Sequence, residues 1–129
     1  MSWHIVEFLD LDDVLLLIRR HLGDPPPIRD AGLLASAVAR PQATVLGEDA
    51  YPTIWMKAAA LLQSIVNNHA LVDGNKRLGW LTTATFLELN DASVAGASNE
   101  EVYDLVIEVA SSDLALEEIA SRLETFGLA

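Results

Sequence analysis

The sequence of 129 residues has no cysteine, few basic residues and no long apolar run. Without cysteine, neither a disulfide framework nor a thiolate zinc site can form. The longest apolar runs, such as Val14 to Ile18, are far shorter than the roughly 20 residues of a membrane-spanning helix. The amino terminus has Glu7, Asp10 and Asp12 where a signal peptide would have a basic segment and then an apolar one. We therefore expect a cytoplasmic protein that does not enter a membrane.

The charge is one-sided, with 19 acidic and 8 basic residues and a formal net charge of −11. Binding to nucleic acid depends on basic side chains that neutralise phosphates, so nucleic acid is not an expected partner. Hydrophobic residues make up 51% of the chain, which is ample for a core, and 129 residues leave no room for a second domain. The sequence thus predicts a single domain over residues 1–129.

Apolar residues recur at spacings of three and four along most of the chain, which is typical of amphipathic helices. Six helices are predicted, over approximately residues 10–22, 30–39, 52–69, 75–89, 98–109 and 113–126. Asp10 or Asp12 can cap the first helix, and Ser98 forms a capping box with Glu101 before the fifth. We interpret residues 3–9 as a short extended segment or edge strand and residues 42–51 as a loop or hairpin. The predicted fold class is an all-α bundle of about six helices with a possible small β-hairpin.

Chemically reactive side chains are concentrated in nine residues between the third and fourth predicted helices. The segment reads His69-Ala70-Leu71-Val72-Asp73-Gly74-Asn75-Lys76-Arg77. The apolar stripe of the preceding helix runs on into His69, which is therefore placed at the end of a buried face. The turn at Gly74 is the predicted entrance to the next helix, whose first backbone N–H groups have no internal partner and attract anions.

The side chains of this segment suit the transfer of a phosphorus group. Lys76 and Arg77 in a first helical turn each cost about 0.3–1 kcal/mol against the helix dipole, and a bound polyphosphate reverses that sign. Asp73 is an oxygen ligand of the kind Mg²⁺ takes when phosphates fill its other positions. An imidazole titrates near pH 6.5 in small peptides, so His69 can accept a proton from a hydroxyl. The set predicts a phosphoryl or nucleotidyl transfer site for ATP and Mg²⁺.

Each of these residues by itself has a plainer interpretation. A lone histidine at the end of an apolar helix is most often a core or capping residue, and Asp-Gly-Asn is a common turn. Lys76 and Arg77 could be solvated charges. Arg40 could reach the phosphates or only cap a helix, and the sequence favours neither. The joint spacing of the nine residues is what favours a site.

The nine residues resemble the signature of the Fic/Doc superfamily, and specifically of its Doc (death-on-curing) branch, His-x-Phe-x-Asp-(Ala/Gly)-Asn-Lys-Arg. Six of the nine positions match, and Leu71 stands where relatives have an aromatic ring that anchors the loop in the core. The similarity extends to Leu33–Gln42, Tyr51-Pro52 and Lys57–Leu62, so it covers nearly the whole chain.

The resemblance implies a toxin that is a protein kinase. Fic-type relatives have glycine at the position of Lys76 and transfer AMP, whereas Doc-type members with the lysine move the γ-phosphate of ATP to a serine or threonine, in the best-known case of a translation elongation factor. His69 would deprotonate the target hydroxyl and Asp73 would hold Mg²⁺. Gly74 and Asn75 would present the loop, and Lys76 with Arg77 would stabilise the transferring charge. The nucleotide would be bound by Gly74, Asn75, Lys76 and Arg77. An AMP-transferase and a catalytically silent partner-binding module remain alternatives.

The resemblance also implies two protein partners. Residues 42–51 would be a flap that holds a target segment in extended form beside Thr44, Val45 and Leu46. Some Fic proteins carry an inhibitory helix with the pattern Ser/Thr-x-x-x-Glu-Gly/Asn. The nearest match runs from Thr44 to Glu48 and lacks the last residue, because Asp49 follows. We therefore expect inhibition in trans, by a cognate antitoxin whose helix lies in a groove of the bundle.

Overall fold

Six α-helices and one small hairpin make up the computed structural model, which describes residues 5–111 and 113–127. The helices are α1 (Leu11–His21), α2 (Ala31–Ala39), α3 (Ile54–Asn68), α4 (Asn75–Leu89), α5 (Asn99–Ala110) and α6 (Leu116–Gly127). A short 3-10 turn at Arg40–Gln42 leads into β1 (Thr44–Val45), which pairs antiparallel with β2 (Glu48–Asp49). This architecture confirms the predicted all-α fold with a small hairpin. Within the described ranges no helix is long and apolar enough to cross a membrane.

Two helices begin where local side-chain chemistry predicts. The Asp10 carboxylate accepts a hydrogen bond from the Asp13 N–H at 2.8 Å, and the Asp13 carboxylate accepts one from the Asp10 N–H at 2.9 Å. Ser98 and Glu101 form the same reciprocal pair before α5. Each pair satisfies two N–H donors that the first helical turn would otherwise leave unpaired. The predicted starts of α1 and α5 are thereby confirmed.

The third helix is the centre of the molecule, and α2, α4, α5 and α6 all pack against it. Its small and branched side chains are buried on most of its circumference, which leaves it little solvated surface. The closest approach is to α4 at Gly79, where a built Cβ atom would lie 2.6 Å from Cγ2 of Val66. Because α3 and α4 pack this closely, the loop that joins them is held between two rigid elements.

The structure corrects three predicted boundaries. No strand forms within residues 5–9; instead, the Asn90 side-chain amide accepts from the Glu7 N–H and donates to the Glu7 carbonyl, both at 2.9 Å. The rest of that predicted segment, Trp3 and His4, lies outside the described residues. The last helix begins at Leu116, later than the predicted 113, and α3 ends at Asn68, one residue before His69.

Candidate functional site

His69 caps the carboxyl end of α3 in the left-handed conformation, with φ 54° and ψ 43°. The prediction that it ends a buried stripe was therefore wrong. The stripe is buried through Val66, but the reversal of φ turns the chain out of the helix and leaves His69 exposed. An exposed imidazole is accessible to a substrate, whereas a buried one would have served packing.

The loop after His69 is held in place by the connector between α1 and α2. The Ala70 carbonyl accepts from the N–H groups of Arg29 and Asp30 at 2.8 and 3.0 Å, and the Val72 N–H donates to the Pro27 carbonyl at 2.9 Å. The Arg29 guanidinium donates through Nε, at 2.9 Å, and through Nη2 to the carbonyl of His69. The backbone of the loop is therefore constrained by residues about 40 positions earlier in the chain.

Leu71 and Asn75 close the loop from within. Leu71 is 1% exposed, so its side chain anchors the loop in the core. The Asn75 side chain accepts from the Leu71 N–H at 3.0 Å and donates to the Leu71 carbonyl at 3.1 Å. Both ends of the Asn75 amide are thus engaged by one backbone unit, which suits its predicted role in presenting the loop better than direct contact with a nucleotide.

The amino end of α4 is open to an anion. Gly74 caps the helix with φ 90° and has no side chain that could accept from the first N–H groups. A Cβ at Gly74 would lie 3.2 Å from Cδ2 of Leu22, so both the conformation and the space favour glycine. Oδ1 of Asp73 accepts from the Gly74 N–H at 2.9 Å, and Oδ2 makes no hydrogen bond within the described residues. A carboxylate oxygen and unpaired N–H groups therefore lie side by side.

All six predicted site residues line one pocket of about 380 Å³. They are His69, Asp73, Gly74, Asn75, Lys76 and Arg77, and the other walls are Val66, Val72 and Ala110. Arg77 is fixed by a 3.1 Å hydrogen bond from Nη2 to the carbonyl of His21, which places its charge against the end of α1. The tertiary structure thus places an imidazole, a carboxylate and two cations around one cavity.

A metal ion in this pocket would need a bound substrate to supply most of its ligands. Within the described ranges no group of three or more histidine, aspartate or glutamate side chains is arranged to hold an ion. Asp73 by itself fits Mg²⁺, which is commonly held by one or two carboxylates plus phosphate oxygens and waters. The donor set therefore fits Mg²⁺ bound together with a nucleotide and does not fit a metal held by protein alone.

An apolar groove of about 480 Å³ adjoins the pocket. It runs between the end of α1, α4 and α5 and is lined by the apolar side chains of Leu22, Trp80, Leu81, Val102, Val106 and Ile107, with Tyr103 exposed at its edge. Lys76 and Arg77 line both the groove and the pocket. An occupant of the groove would consequently contact the same two cations as a bound phosphate.

The base of the hairpin is attached to α3 by two basic residues. Lys57, which is 2% exposed, donates from Nζ to Oδ2 of Asp49 at 3.0 Å and to the Tyr51 carbonyl. Arg40 donates to the Tyr51 hydroxyl, lies over its ring, and bonds to Gln63 and Ser64 of α3. Arg40 is thus the C-cap of α2 and does not line the His69 pocket, which favours the capping interpretation.

Two contributors to the site's framework were missed by sequence reasoning. Arg29 and Lys57 are not among the predicted functional residues. Both lie outside the segment 69–77, and both act through tertiary hydrogen bonds. The hairpin confirms the predicted turn region, but Leu46 lies in the turn with φ 53°, so the strand edge comprises only Thr44 and Val45. A strand of two residues is too short to show an alternation of apolar and polar side chains, so the sequence could not locate the strand edge more closely.

Comparison with known proteins adds two findings. A family model described as "Fic/DOC family" matches residues 7–87, which include α1 to α4 up to Leu87 and the whole loop between α3 and α4. A protein named "Toxin Doc" from Mycolicibacterium smegmatis is 50% identical over 126 residues, which cover 97% of this chain and 97% of that protein.

Proposed function

Since this chain belongs to the Fic/DOC family, we propose that it is the toxin of a toxin–antitoxin pair and acts as an ATP-dependent protein kinase. The relative named "Toxin Doc" supports the first part of the proposal, because it is similar along nearly its entire length. The observation that carries the second part is the single pocket that His69, Asp73 and the open end of α4 share. We place the reaction in the cytoplasm, where ATP and translation factors are found.

The transfer uses the residues of this pocket in fixed roles. A nitrogen of the exposed His69 imidazole takes the proton of a serine or threonine hydroxyl on the target. The hydroxyl oxygen forms a bond to the γ-phosphorus of ATP while the bond from that phosphorus to the β,γ-bridging oxygen breaks, and ADP leaves. The N–H groups at the start of α4, with Lys76 and Arg77, stabilise the charge on the moving phosphoryl group. Bound at Asp73, Mg²⁺ would neutralise further phosphate charge.

Lys76 is the reason to favour phosphoryl over AMP transfer. Its side chain is exposed at the pocket and forms no ion pair within the described residues, so the ammonium is available to a phosphate. A long cationic side chain at this position occupies space that an α-phosphate would need and offers a counter-charge in its place. ATP would then bind in the opposite direction and present its γ-phosphate to His69. AMP transfer is the second candidate.

The antitoxin is proposed to place a helix in the apolar groove between α4 and α5. Three features support this position. The groove is wide and apolar enough for the face of an amphipathic helix, its edge exposes Tyr103 and Ile107, and one end is formed by Lys76 and Arg77. A helix with an acidic residue at that end would pair with the two cations and compete with ATP for them. Because Lys76 and Arg77 line both the groove and the pocket, this competition would inhibit the transfer in trans.

The target is proposed to lie along the hairpin. Thr44 and Val45 are exposed and form β1, which pairs only with β2 among the described residues, so an extended segment can add to its other edge by backbone hydrogen bonds. The buried Lys57 attaches the base of the hairpin to α3, the helix that His69 caps. A translation elongation factor is the target class that the resemblance implies.

The transfer is tested with two labelled forms of ATP. The purified chain, free of antitoxin, is incubated with Mg²⁺ and host lysate, once with ATP labelled at the γ-phosphate and once at the α-phosphate. We expect a host protein to be labelled only from the γ position, and not by His69→Ala. The matched control is His21→Ala, which removes another exposed imidazole and keeps the backbone carbonyl that Arg77 contacts. Label from the α position would instead establish AMP transfer, and no label from either would favour a silent binding module.

The antitoxin groove is tested separately. Ile107→Asp places a charge in the groove and should abolish neutralisation by the antitoxin while labelling from γ-ATP persists. Leu16→Asp is the control, since Leu16 is also partly exposed but lies on α1 outside the groove. If Ile107→Asp is still neutralised as well as the unchanged chain, the antitoxin binds elsewhere.

A further inference from the structure

Arg29 makes an unusual contact for an exposed side chain. It lies in the connector between α1 and α2, and two of its N–H groups, on Nε and Nη2, point at one acceptor, the carbonyl oxygen of His69. The two residues are 40 positions apart in the chain. A guanidinium that gives two donors to a single backbone oxygen holds that oxygen in a defined direction, because its donors are coplanar and rigid.

The carbonyl that Arg29 holds belongs to the residue in the least favourable conformation of the loop. A left-handed backbone is unfavourable for an ordinary L-residue because Cβ crowds the following carbonyl, and His69 adopts it with φ 54°. The carbonyl groups at the end of a helix also lack internal partners, and a cation there is favoured by the helix dipole. The Arg29 guanidinium supplies both the missing hydrogen-bond donors and the positive charge. Since the carbonyl direction reports ψ of His69, holding it also restricts the direction of the Cα–Cβ bond from which the imidazole projects.

The rest of the connector supports the loop without Arg29's side chain. Backbone N–H groups of residues 29 and 30 bind the Ala70 carbonyl, and Ile28 forms an antiparallel bridge with Leu71. These contacts are made by the main chain, so they survive a change of the Arg29 side chain. Substitution at Arg29 consequently removes the restraint on His69 alone and leaves the loop attached.

We propose that Arg29 is a positioning residue for His69: through the His69 carbonyl it keeps the imidazole directed into the pocket. The proposal rests on the proposed role of His69 as the base. Arg29 itself does not line the pocket, so it acts on the proton transfer through His69 and not on ATP.

Kinetics separate positioning from binding. In Arg29→Ala we expect kcat for target phosphorylation to fall by about 100-fold, as for other small misplacements of a reacting group, while KM for ATP stays unchanged. Arg29→Lys, which keeps the charge and one donor direction, should recover part of the loss. The control is Arg19→Ala, because Arg19 is also exposed and its side chain makes no hydrogen bond within the described residues. Equal losses in kcat for Arg29→Ala and Arg19→Ala, or a rise in KM for ATP alone, would overturn the proposal.

A second measurement does not depend on any transfer activity. In nuclear magnetic resonance spectra, the imidazole signals of His69 and the amide signals of Ala70 and Leu71 should form one sharp set in the unchanged chain and in Arg19→Ala. In Arg29→Ala the His69 signals should broaden or split, while the amide signals of Phe86 in the core stay in place. If the unchanged chain labels no target but this difference is seen, the proposed function fails and the role of Arg29 stands. If His69 gives the same signals in all three proteins, Arg29 does not position it.

Discussion

Replacing Leu71 by alanine tests whether the loop is anchored from inside the core. Leu71 is 1% exposed, so the substitution removes a completely buried side chain and leaves a cavity. Such substitutions cost about 2–5 kcal/mol, from lost apolar burial plus the cavity itself. We expect the upper part of that range, because the Leu71 backbone is fixed by the Asn75 amide at 3.0 and 3.1 Å and by its bridge to Ile28, and cannot move in to fill the space.

The assay is urea unfolding at equilibrium, with the free energy extrapolated to zero denaturant. Val72→Ala is a close control, since Val72 is the next residue of the same loop and is 72% exposed. Its substitution should change the free energy of unfolding by less than about 0.5 kcal/mol. A difference of under about 1 kcal/mol between the two variants would refute the view that Leu71 anchors the loop.

The opposite substitution, Leu71→Phe, introduces the aromatic ring of the motif that the loop resembles. The surroundings of Leu71 are already filled, so a larger ring should destabilise the fold by about 1–3 kcal/mol through overpacking. An increase in stability would show instead that the leucine leaves unused space at this position.

Three further predictions concern the framework. Gly79→Ala should destabilise the chain by about 1–3 kcal/mol in urea unfolding, because the new methyl group would lie 2.6 Å from Val66. Gly32→Ala, on the exposed side of α2, should cost less, because its methyl group would lie 3.3 Å from Oδ1 of the exposed Asp30 side chain, which can shift, and it gains helix propensity. Lys57→Met should detach the hairpin from α3. Limited digestion with chymotrypsin should then cleave after the exposed Leu46 faster than in the unchanged chain. An unchanged rate of cleavage would contradict the role of Lys57. Hydrogen bonding, chiefly from the Ser98 backbone N–H and then from its hydroxyl, lowers the pKa of Glu101 below its ordinary value of 4.5. The ionised Glu101 carboxylate therefore contributes fully to the free energy of unfolding above pH 4.5, and this contribution is lost as the pH falls further. In Glu101→Gln, the free energy of unfolding should change less with pH across that range.

The agreement between prediction and structure follows the range of the interactions involved. Helix spacing, the caps at Asp10 and Ser98, and the end of α4 before Asn90 depend on neighbours within four residues, and all were predicted. Of the two interpretations of the amino-terminal segment, the edge strand was wrong within residues 5–9, because Glu7 bonds to the side chain of Asn90, 83 positions away, and not to another strand. The prediction that the third helix and its buried stripe extend to His69 was also wrong, because His69 reverses the chain in a conformation that a distant connector supports.

The sequence by itself determined the fold class, the order of the helices and the identity of the six residues at the pocket. Those properties are local: they arise from periodicity, capping and a motif in which six residues lie within nine positions. Only the tertiary structure decided that His69 is exposed, that the amide of Asn75 serves the loop, and that Lys76 and Arg77 form a wall common to the pocket and the groove. These properties depend on contacts between segments far apart in the chain, such as Arg29 with His69. A local sequence pattern does not indicate which distant groups will come into contact.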